Sequence, residues 1–341
     1  MLSGFPLTSL SPVVRQTSKP SILFSVPISA YSVCFLLAFL CVAALDLLFS
    51  LSLFLSLFHF LISIFKPREH NRPAMAGTVN LYDNAYSYYG EDVYRDVRVD
   101  TYGEDLGQTG WTTTEESNQI PRTLGLSAAT EVLEIGCGSG RYALQVAGTA
   151  GCRILGLDLN ETGIQNANRL AEHQNLAASA RFRIADCSKR LTLPDFSFDA
   201  AFSNDVLCHI PGRDALFREL FRVLRAGARF LFSDALIIGG VVTHLEIATR
   251  SSIGYYLFSP PGENERLLVQ SGFRVLSVAD TTKNAAAISL RWRDARQKRS
   301  GALTALEGKK NFDGLQQFLS NVHTLTTERR LLRLLYVAQK P

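Results

Sequence analysis

The residues best suited to chemistry lie in a glycine-rich turn between two predicted secondary-structure elements. Residues 132–135 are largely apolar and typical of a short buried strand, and residues 141–147 are typical of the start of a helix. Gly136, Gly138 and Gly140 lie between them. Glycines let the backbone approach a ligand closely, and a helix N-terminus presents free N–H groups to it. The turn therefore predicts a site for a nucleotide-like ligand, although such a glycine pattern alone is weak evidence.

Carboxylates follow the next two predicted strands. Asp158 comes directly after residues 154–157, about eighteen residues beyond Gly140, and Asp186 follows residues 182–184. The first carboxylate is placed to accept hydrogen bonds from ribose hydroxyls, and the second to reach an adenine amino group. Each also has a plainer interpretation. Asp158 would suit the cap of a helix starting near Glu161, and Asp186 would suit a solvent-exposed turn.

The elements that must position these residues alternate along the chain. Residues 198–202 are a fourth predicted strand, which the polar residues 203–205 close. A helix with one apolar face follows, ends at Gly227 and leads into a fifth strand that begins at 229–232. A sixth strand comes after Gly272, and residues 331–338 fit a final edge strand. This alternation predicts a doubly wound α/β sheet whose polar strand ends share one edge.

Five segments within residues 134–234 occur in the order of a known family. They are EIGCGSG (134–140), LDLN (157–160), ADC (185–187), SNDVLCHI (203–210) and LFRVLRAGARFLFSD (220–234). In these segments the chain resembles the class I S-adenosylmethionine-dependent methyltransferases. The resemblance implies a Rossmann-like, mostly parallel sheet of seven strands, an N-terminal lid, a helical insertion before the last strand, and S-adenosyl-L-methionine as cofactor. The candidate cofactor-binding residues are Glu134, Gly136, Gly138, Gly140, Asp158, Leu159, Asp186, Cys187, Asn204 and, before the preceding helix, Trp111.

A narrower resemblance concerns the methyl acceptor. The segment YGEDLGQTGWTTTEES (102–117), together with SNDVLCHI, is similar to the glycine, sarcosine and dimethylglycine methyltransferases and their phosphoethanolamine-type relatives. It implies transfer of a methyl group to the nitrogen of a small amine. Tyr82, Asp205 and Tyr255 are the candidate substrate-binding residues. No arginine is evident in this region to clamp a substrate carboxylate, which favours a larger or less acidic amine than glycine.

His209 is the candidate catalytic residue, because it follows the fourth predicted strand where a substrate should lie. It would bind the substrate or accept a proton, or it would only pack beneath the cofactor loop. Two further functions stay open. One is an O- or C-methyltransferase of a lipid or secondary metabolite that acts at a membrane. The other is a non-catalytic cofactor-binding module, which the complete set of glycines and acids disfavours.

Composition limits the class of partner. The formal net charge of the 341 residues is +4, and residues 1–74 contribute three of these charges, so the remainder is almost neutral. A nucleic-acid substrate usually requires a basic face, which argues for a small-molecule acceptor and against nucleic acid. The arginine- and lysine-rich run at 291–299 is interpreted as a solvated helix face. The six cysteines form no C-x-x-C pair, which favours reduced thiols and no metal site.

Composition and the family resemblance together predict the organisation of the chain. Six tyrosines between residues 79 and 102 suit either a lid over the ligands or simple aromatic packing. We expect a methyltransferase domain at 75–341, divided into a lid (75–117), a cofactor-binding core (118–235), and substrate-side helices with the last strands (236–341). Residues 1–74 are rich in Ser, Leu and Phe, with an apolar run long enough to span a bilayer.

Three interpretations of residues 1–74 compete. Met75 stands where ordinary globular sequence begins, and Met1 is the other methionine of the chain. Translation from Met75 would give a cytoplasmic enzyme. A genuine apolar leader would be either a membrane anchor that leaves the catalytic domain facing the cytosol or a targeting segment.

Overall fold

Seven strands and eleven α-helices organise residues 79–341, the part of the chain that the computed structural model describes. The hypotheses about residues 1–74 fall outside this range. The strands are β1 Glu131–Ile135, β2 Arg153–Asp158, β3 Ala180–Ile184, β4 Phe198–Ser203, β5 Leu224–Ile238, β6 Arg274–Asp280 and β7 Leu331–Gln339. The helices are α1 Tyr82–Ser87, α2 Asp92–Tyr102, α3 Thr114–Leu124, α4 Arg141–Ala150, α5 Glu161–His173, α6 Arg213–Val223, α7 His244–Arg250, α8 Glu263–Gln270, α9 Thr282–Lys298, α10 Ser300–Glu307 and α11 Lys309–Thr327. None of these helices within 79–341 has the length and apolarity to cross a membrane.

The strands form one sheet in the order β3-β2-β1-β4-β5-β7-β6. Neighbours from β3 through β5 run parallel, and β7 runs antiparallel to both β5 and β6. The predicted fold class, a mostly parallel, doubly wound α/β sheet of seven strands, is therefore confirmed. The carboxyl ends of β1, β2, β3 and β4 meet along one edge, because parallel strands end on the same side.

The prediction that 331–338 is an edge strand is wrong. β7 lies inside the sheet, between β5 and β6, and Tyr336 pairs with Phe232 on one side and with Val278 on the other. The side chains explain the order. Tyr336 and Ala338 are fully buried, whereas most residues of β6 are exposed, which suits β6 to the edge.

The helix predicted to end at Gly227 ends earlier. α6 stops at Val223, and Leu224 already pairs with Phe198 of β4. The register then shifts before Arg229 pairs with Ala200, and Gly227 lies in this irregular stretch with a φ of 80°. Its N–H donates to the Lys340 carbonyl. The glycine therefore serves a bulge rather than a helix end.

Apolar side chains divide between the two faces of the sheet. Val132 of β1 packs in the cluster beneath α4 and α5, whereas Leu133 packs in the cluster beneath α6 and α8. A third cluster joins the N-terminal arm (residues 79–113) to the C-terminal helices α9, α10 and α11. Arg296, predicted to be on a solvated face, lies in this region with only 2% of its surface exposed, paired with the equally buried Glu307.

Candidate active site

The turn after β1 has the backbone that its glycines predict. Gly138 adopts a φ of 51°, and a Cβ there would lie 2.7 Å from the Tyr86 hydroxyl. Gly140 adopts a φ of 76°, and its Cβ would overlap Ala167 and Phe182 at 2.7 Å each. Gly138 thus allows the N-terminal arm to approach the loop, and Gly140 allows α5 and β3 to pack against it.

A cavity of about 460 Å³ opens beside this turn at the carboxyl ends of the strands. One part of its wall consists of the glycine loop and the residues after β2 and β3. The other consists of the N-terminal arm, the residues after β4 and the region around α7. Twelve predicted site residues line this one cavity: Tyr82, Trp111, Gly136, Gly138, Asp158, Leu159, Asp186, Cys187, Asn204, Asp205, His209 and Tyr255.

Two predicted cofactor-binding residues are not in the wall of the cavity. Gly140 packs against α5 as described, and Glu134 lies behind the loop with only 1% of its surface exposed. Burial, and then the charge of Asp158, raise the pKa of the Glu134 carboxyl well above its ordinary value. Its Oε2 atom has no hydrogen-bond partner among the described residues.

Backbone N–H groups hold Asp158 in place. Its Oδ2 accepts from the Gly138 N–H at 2.8 Å, and its Oδ1 accepts from the Asn160 N–H at 2.8 Å. The alternative that Asp158 caps the next helix does not describe this arrangement, because Asn160 caps α5 through a bond to the Gly163 N–H. Each carboxylate oxygen keeps a further lone pair, so Asp158 retains the capacity to accept hydroxyl groups.

Asp186 lies in a turn and lines the cavity, so it combines features of both interpretations. Its Oδ1 accepts from the N–H and the hydroxyl of Ser188, and its Oδ2 pairs with Lys189 at 3.0 Å. Burial opposes ionisation, but these partners hold the pKa of Asp186 below its ordinary value. Leu159, 70% exposed, and Cys187 place apolar surface next to it.

Buried polar atoms without hydrogen-bond partners indicate which ligand groups the cavity would bind. Ser139 Oγ, the Tyr142 hydroxyl and Asn204 Nδ2 are buried and have no hydrogen-bond partner among the described residues. A buried polar group without a partner costs about 1–3 kcal/mol. S-adenosylmethionine brings a carboxylate, an amino group, ribose hydroxyls and an adenine ring. These donors and the carboxylate of Asp158 match such groups, so the residues fit this cofactor.

His209 contacts the N-terminal arm. Its Nε2 lies 2.9 Å from the Tyr82 hydroxyl, and its Nδ1 lies 3.1 Å from the Tyr255 carbonyl. Burial lowers the pKa of His209 to about 4 despite the opposing effect of that carbonyl, so the imidazole is neutral. A carbonyl only accepts, which fixes the ring proton on Nδ1. Nε2 is then the acceptor, and Tyr82 donates to it.

Arg250, the last residue of α7, is a residue of the site that the sequence analysis missed. It lines the cavity with 1% of its surface exposed. Its guanidinium carbon lies 4.4 Å from the ring centre of Tyr256 and 5.0 Å from that of Phe318. Its Nη1 has no hydrogen-bond partner among the described residues. The acceptor-side segments singled out in the sequence contain no such arginine, and no motif around Arg250 marked it as part of this cavity.

The tyrosines of the N-terminal arm lie in two environments. Tyr82 and Tyr86 line the cavity, whereas Tyr94 and Tyr102 pack in the third apolar cluster. Within residues 79–341, no group of three or more metal-ligating side chains is close enough to hold a metal ion.

Known proteins resemble the chain in the region of this site. A family described as a methyltransferase domain matches residues 133–232. The O-methyltransferase resE of Aspergillus sclerotiorum is 31% identical over 49% of this chain and 64% of its own length. Phosphoethanolamine N-methyltransferase 1 of Arabidopsis thaliana is 32% identical over 43% of this chain and 28% of its own length. The chain thus spans less than two thirds of each of these relatives.

A solved structure extends the comparison to the fold. The Haemonchus contortus phosphoethanolamine N-methyltransferase 2, in complex with phosphomonomethylethanolamine and S-adenosylhomocysteine, superposes with a TM-score of 0.64 and 22% identity. The superposition covers 77% of this chain and 60% of that one. The chain thus contains a domain that matches the methyltransferase family, and its sequence is similar to O-methyltransferases and to phosphoethanolamine N-methyltransferases. It shares its fold with the solved phosphoethanolamine N-methyltransferase.

Proposed function

We propose that the protein transfers a methyl group from S-adenosylmethionine to an amine nitrogen of a small acceptor that also carries an anionic group. The observation that carries the proposal is a single cavity in which the glycine loop faces Tyr82, His209 and Arg250. The bound cofactor supplies an activated methyl group on a sulfonium. The chain's own residues align the acceptor with it, and alignment is worth about 7–11 kcal/mol in such displacements.

Tyr82 and His209 favour an acceptor that reacts in its neutral form. The Tyr82 hydroxyl donates to His209 Nε2, and its oxygen has two lone pairs, one of which would accept an N–H of the acceptor. With a pKa of about 4, His209 is too weak a base to ionise an alcohol efficiently at neutral pH. A neutral amine requires no such ionisation.

Arg250 supports an anionic group on the same acceptor. It forms no ion pair with any of the described residues, although three aromatic rings surround its guanidinium. A buried charge without a charged partner is costly, even with cation–π contacts of about 0.5–2 kcal/mol. A carboxylate or phosphate on the acceptor would remove that cost and accept a hydrogen bond from Nη1.

The proposal is tested with labelled S-adenosylmethionine and matched pairs of acceptors. Each amine is offered with and without a carboxylate or phosphate, alongside phenols and lipids. We expect amines that carry the anion to be methylated at the highest kcat/KM. Arg250→Met should raise the KM for these acceptors by about 10- to 100-fold and leave S-adenosylhomocysteine affinity unchanged. Arg218→Met, at an exposed arginine of α6, is the matched control.

O-methylation is the second candidate, because an O-methyltransferase is among the sequence relatives. His209→Ala separates the two. An amine acceptor predicts only a moderate loss of turnover and a rate that rises with pH toward the amine pKa. A loss of about four orders of magnitude with intact cofactor binding would identify an essential base and favour a hydroxyl or carbon acceptor.

A further inference from the structure

Arg333 of β7 uses every N–H of its guanidinium. Nε donates to Asp205 Oδ1 at 2.8 Å, and Nη2 donates to Asp205 Oδ2 at 3.2 Å and to Thr112 Oγ1 at 2.9 Å. Nη1 donates to Glu116 Oε1 at 2.8 Å and to Thr281 Oγ1 at 2.7 Å. Five donors with five placed acceptors define one orientation of the side chain, which a lysine could not reproduce.

This single side chain joins segments that are far apart in the sequence. Asp205 follows β4, Thr112 precedes α3, Glu116 lies in the first turn of α3, and Thr281 precedes α9. Arg333 is fully buried, which alone would lower its pKa, but the carboxylates of Asp205 and Glu116 raise the pKa above its ordinary value. The guanidinium therefore remains charged.

Asp205, held by Arg333, in turn holds the backbone of Trp111. Its Oδ2 accepts from the Trp111 N–H at 2.9 Å, and its Oδ1 also accepts from the Ser233 hydroxyl at 2.9 Å. Asp205 itself has a φ of 57°, in the left-handed region that non-glycine residues seldom adopt. Such a conformation persists where surrounding contacts hold it, and Arg333 and Ser233 supply those contacts.

Trp111 itself lines the cavity, so its position affects the shape of the wall. Its ring is 4% exposed and packs against Phe318, with ring centres 6.3 Å apart and an interplanar angle of 30°. The Arg250 guanidinium carbon lies 5.7 Å from the Trp111 ring centre, which assigns Trp111, expected from the sequence to bind the cofactor, to the acceptor side instead. The position of the ring therefore helps to set the position of Arg250, whereas Arg333 itself does not line the cavity.

We propose that Arg333 is a positioning residue, which acts through Asp205 to hold Trp111 in the acceptor wall and so sets acceptor affinity. The effect on the acceptor rests on the proposed function. The effect on the position of Trp111 does not, because it concerns the protein alone. Arg333 thus contributes to the specificity of the site although it does not line the cavity.

The experiment uses Trp111 as its own reporter. The chain has two tryptophans, so Trp292→Phe leaves Trp111 as the sole one. In that background Arg333→Lys keeps the positive charge but replaces the planar guanidinium, with its five N–H donors, by an ammonium group. We expect the acrylamide quenching constant of Trp111 to rise about twofold and the acceptor KM to rise about tenfold, with S-adenosylhomocysteine affinity unchanged within about twofold.

Arg213→Lys is the matched control. Arg213 forms another buried ion pair, at 2.8 Å from Asp234 of β5, with side chains 4% and 0% exposed. Neither residue lines the cavity. This variant should lose a comparable amount of thermal stability while the quenching of Trp111 and the acceptor KM stay as in the background.

Ser233→Ala provides a milder variant if Arg333→Lys does not fold. It removes one bond to Asp205 and should shift the quenching constant in the same direction by a smaller amount. Equal quenching in the Arg333, Ser233 and Arg213 variants would overturn the proposal. Increased quenching without any change in acceptor KM would refute the effect on specificity. Failure of methyl transfer in the Trp292→Phe background with all amines would instead count against the proposed function.

Discussion

Asp158 and His209 show how neighbouring backbone groups decide what a side chain can do. Two N–H groups orient the Asp158 carboxylate, yet lone pairs remain for a ligand. One carbonyl fixes the proton of His209 on Nδ1 and leaves Nε2 as an acceptor. Asp158 therefore keeps its capacity for a ligand, whereas Tyr255 and Tyr82 occupy both ring nitrogens of His209.

The Asp158→Ala variant tests the cofactor site. Removing this carboxylate leaves ribose hydroxyls of the cofactor without their acceptor, which costs about 1–3 kcal/mol, or about 5- to 150-fold in affinity. Titration calorimetry with S-adenosylhomocysteine measures the change. Asp214→Ala, at an exposed position of α6, is the control. Unchanged affinity in the Asp158 variant would show that Asp158 does not bind the cofactor.

The low pKa of His209 predicts that acid destabilises the fold. The folded protein resists protonation of His209 until about pH 4, whereas the unfolded chain accepts the proton near pH 6.5. Between these values the unfolded state binds more protons, so stability falls as the pH falls. From pH 7 to pH 5 the loss is about 2 kcal/mol.

A variant isolates that contribution. Urea unfolding at pH 7 and pH 5 should give His209→Gln a loss smaller by about 2 kcal/mol than that of the unmodified chain. His173→Gln, at the exposed end of α5, should leave the loss as it is. The idea fails if both variants lose as much stability as the unmodified chain.

The glycine loop and its flanking elements are the part of the fold that local sequence predicts best. The turn, the helix start at Arg141 and the start of α5 at Glu161 depend on neighbouring residues and are found where predicted. The place of β7 inside the sheet, the pairing of Arg296 with Glu307 and the position of Arg250 depend on residues distant in the chain. No local pattern encodes these, so the sequence analysis missed all three.

Gly140→Ala tests why the loop requires its third glycine. An alanine there would combine a positive φ, which costs about 1–2 kcal/mol, with overlap against Ala167 and Phe182, which adds about 1–3 kcal/mol. Gly103 at the end of α2 has a φ of 87° with nothing within 4 Å, so Gly103→Ala should show the backbone cost alone. Thermal unfolding compares the two variants, and equal losses would mean that packing against α5 does not require Gly140.

At the scale of the whole molecule, the sheet and the surrounding helices supply every residue assigned to the site. Tyr82 and Trp111 come from the N-terminal arm, Asp158 and His209 follow parallel strands, and Arg250 ends α7. All lie within the compact unit Arg72–Pro341. We therefore propose that the domain boundary near residue 75, expected from composition, is also the boundary of the functional unit.

A fragment that starts at Met75 tests this boundary. Because the arm, the sheet and α7 are all retained, the fragment should fold cooperatively and bind S-adenosylhomocysteine within about twofold of the full chain. A second fragment starting at Gly90 removes Tyr82 and Tyr86 from the cavity and should bind more weakly, although the sheet is intact. Calorimetry on both fragments and the full chain gives the comparison. Loss of binding in the Met75 fragment would show that residues before it are needed for the site. Equal binding by both fragments would show that the N-terminal arm does not contribute to holding the cofactor.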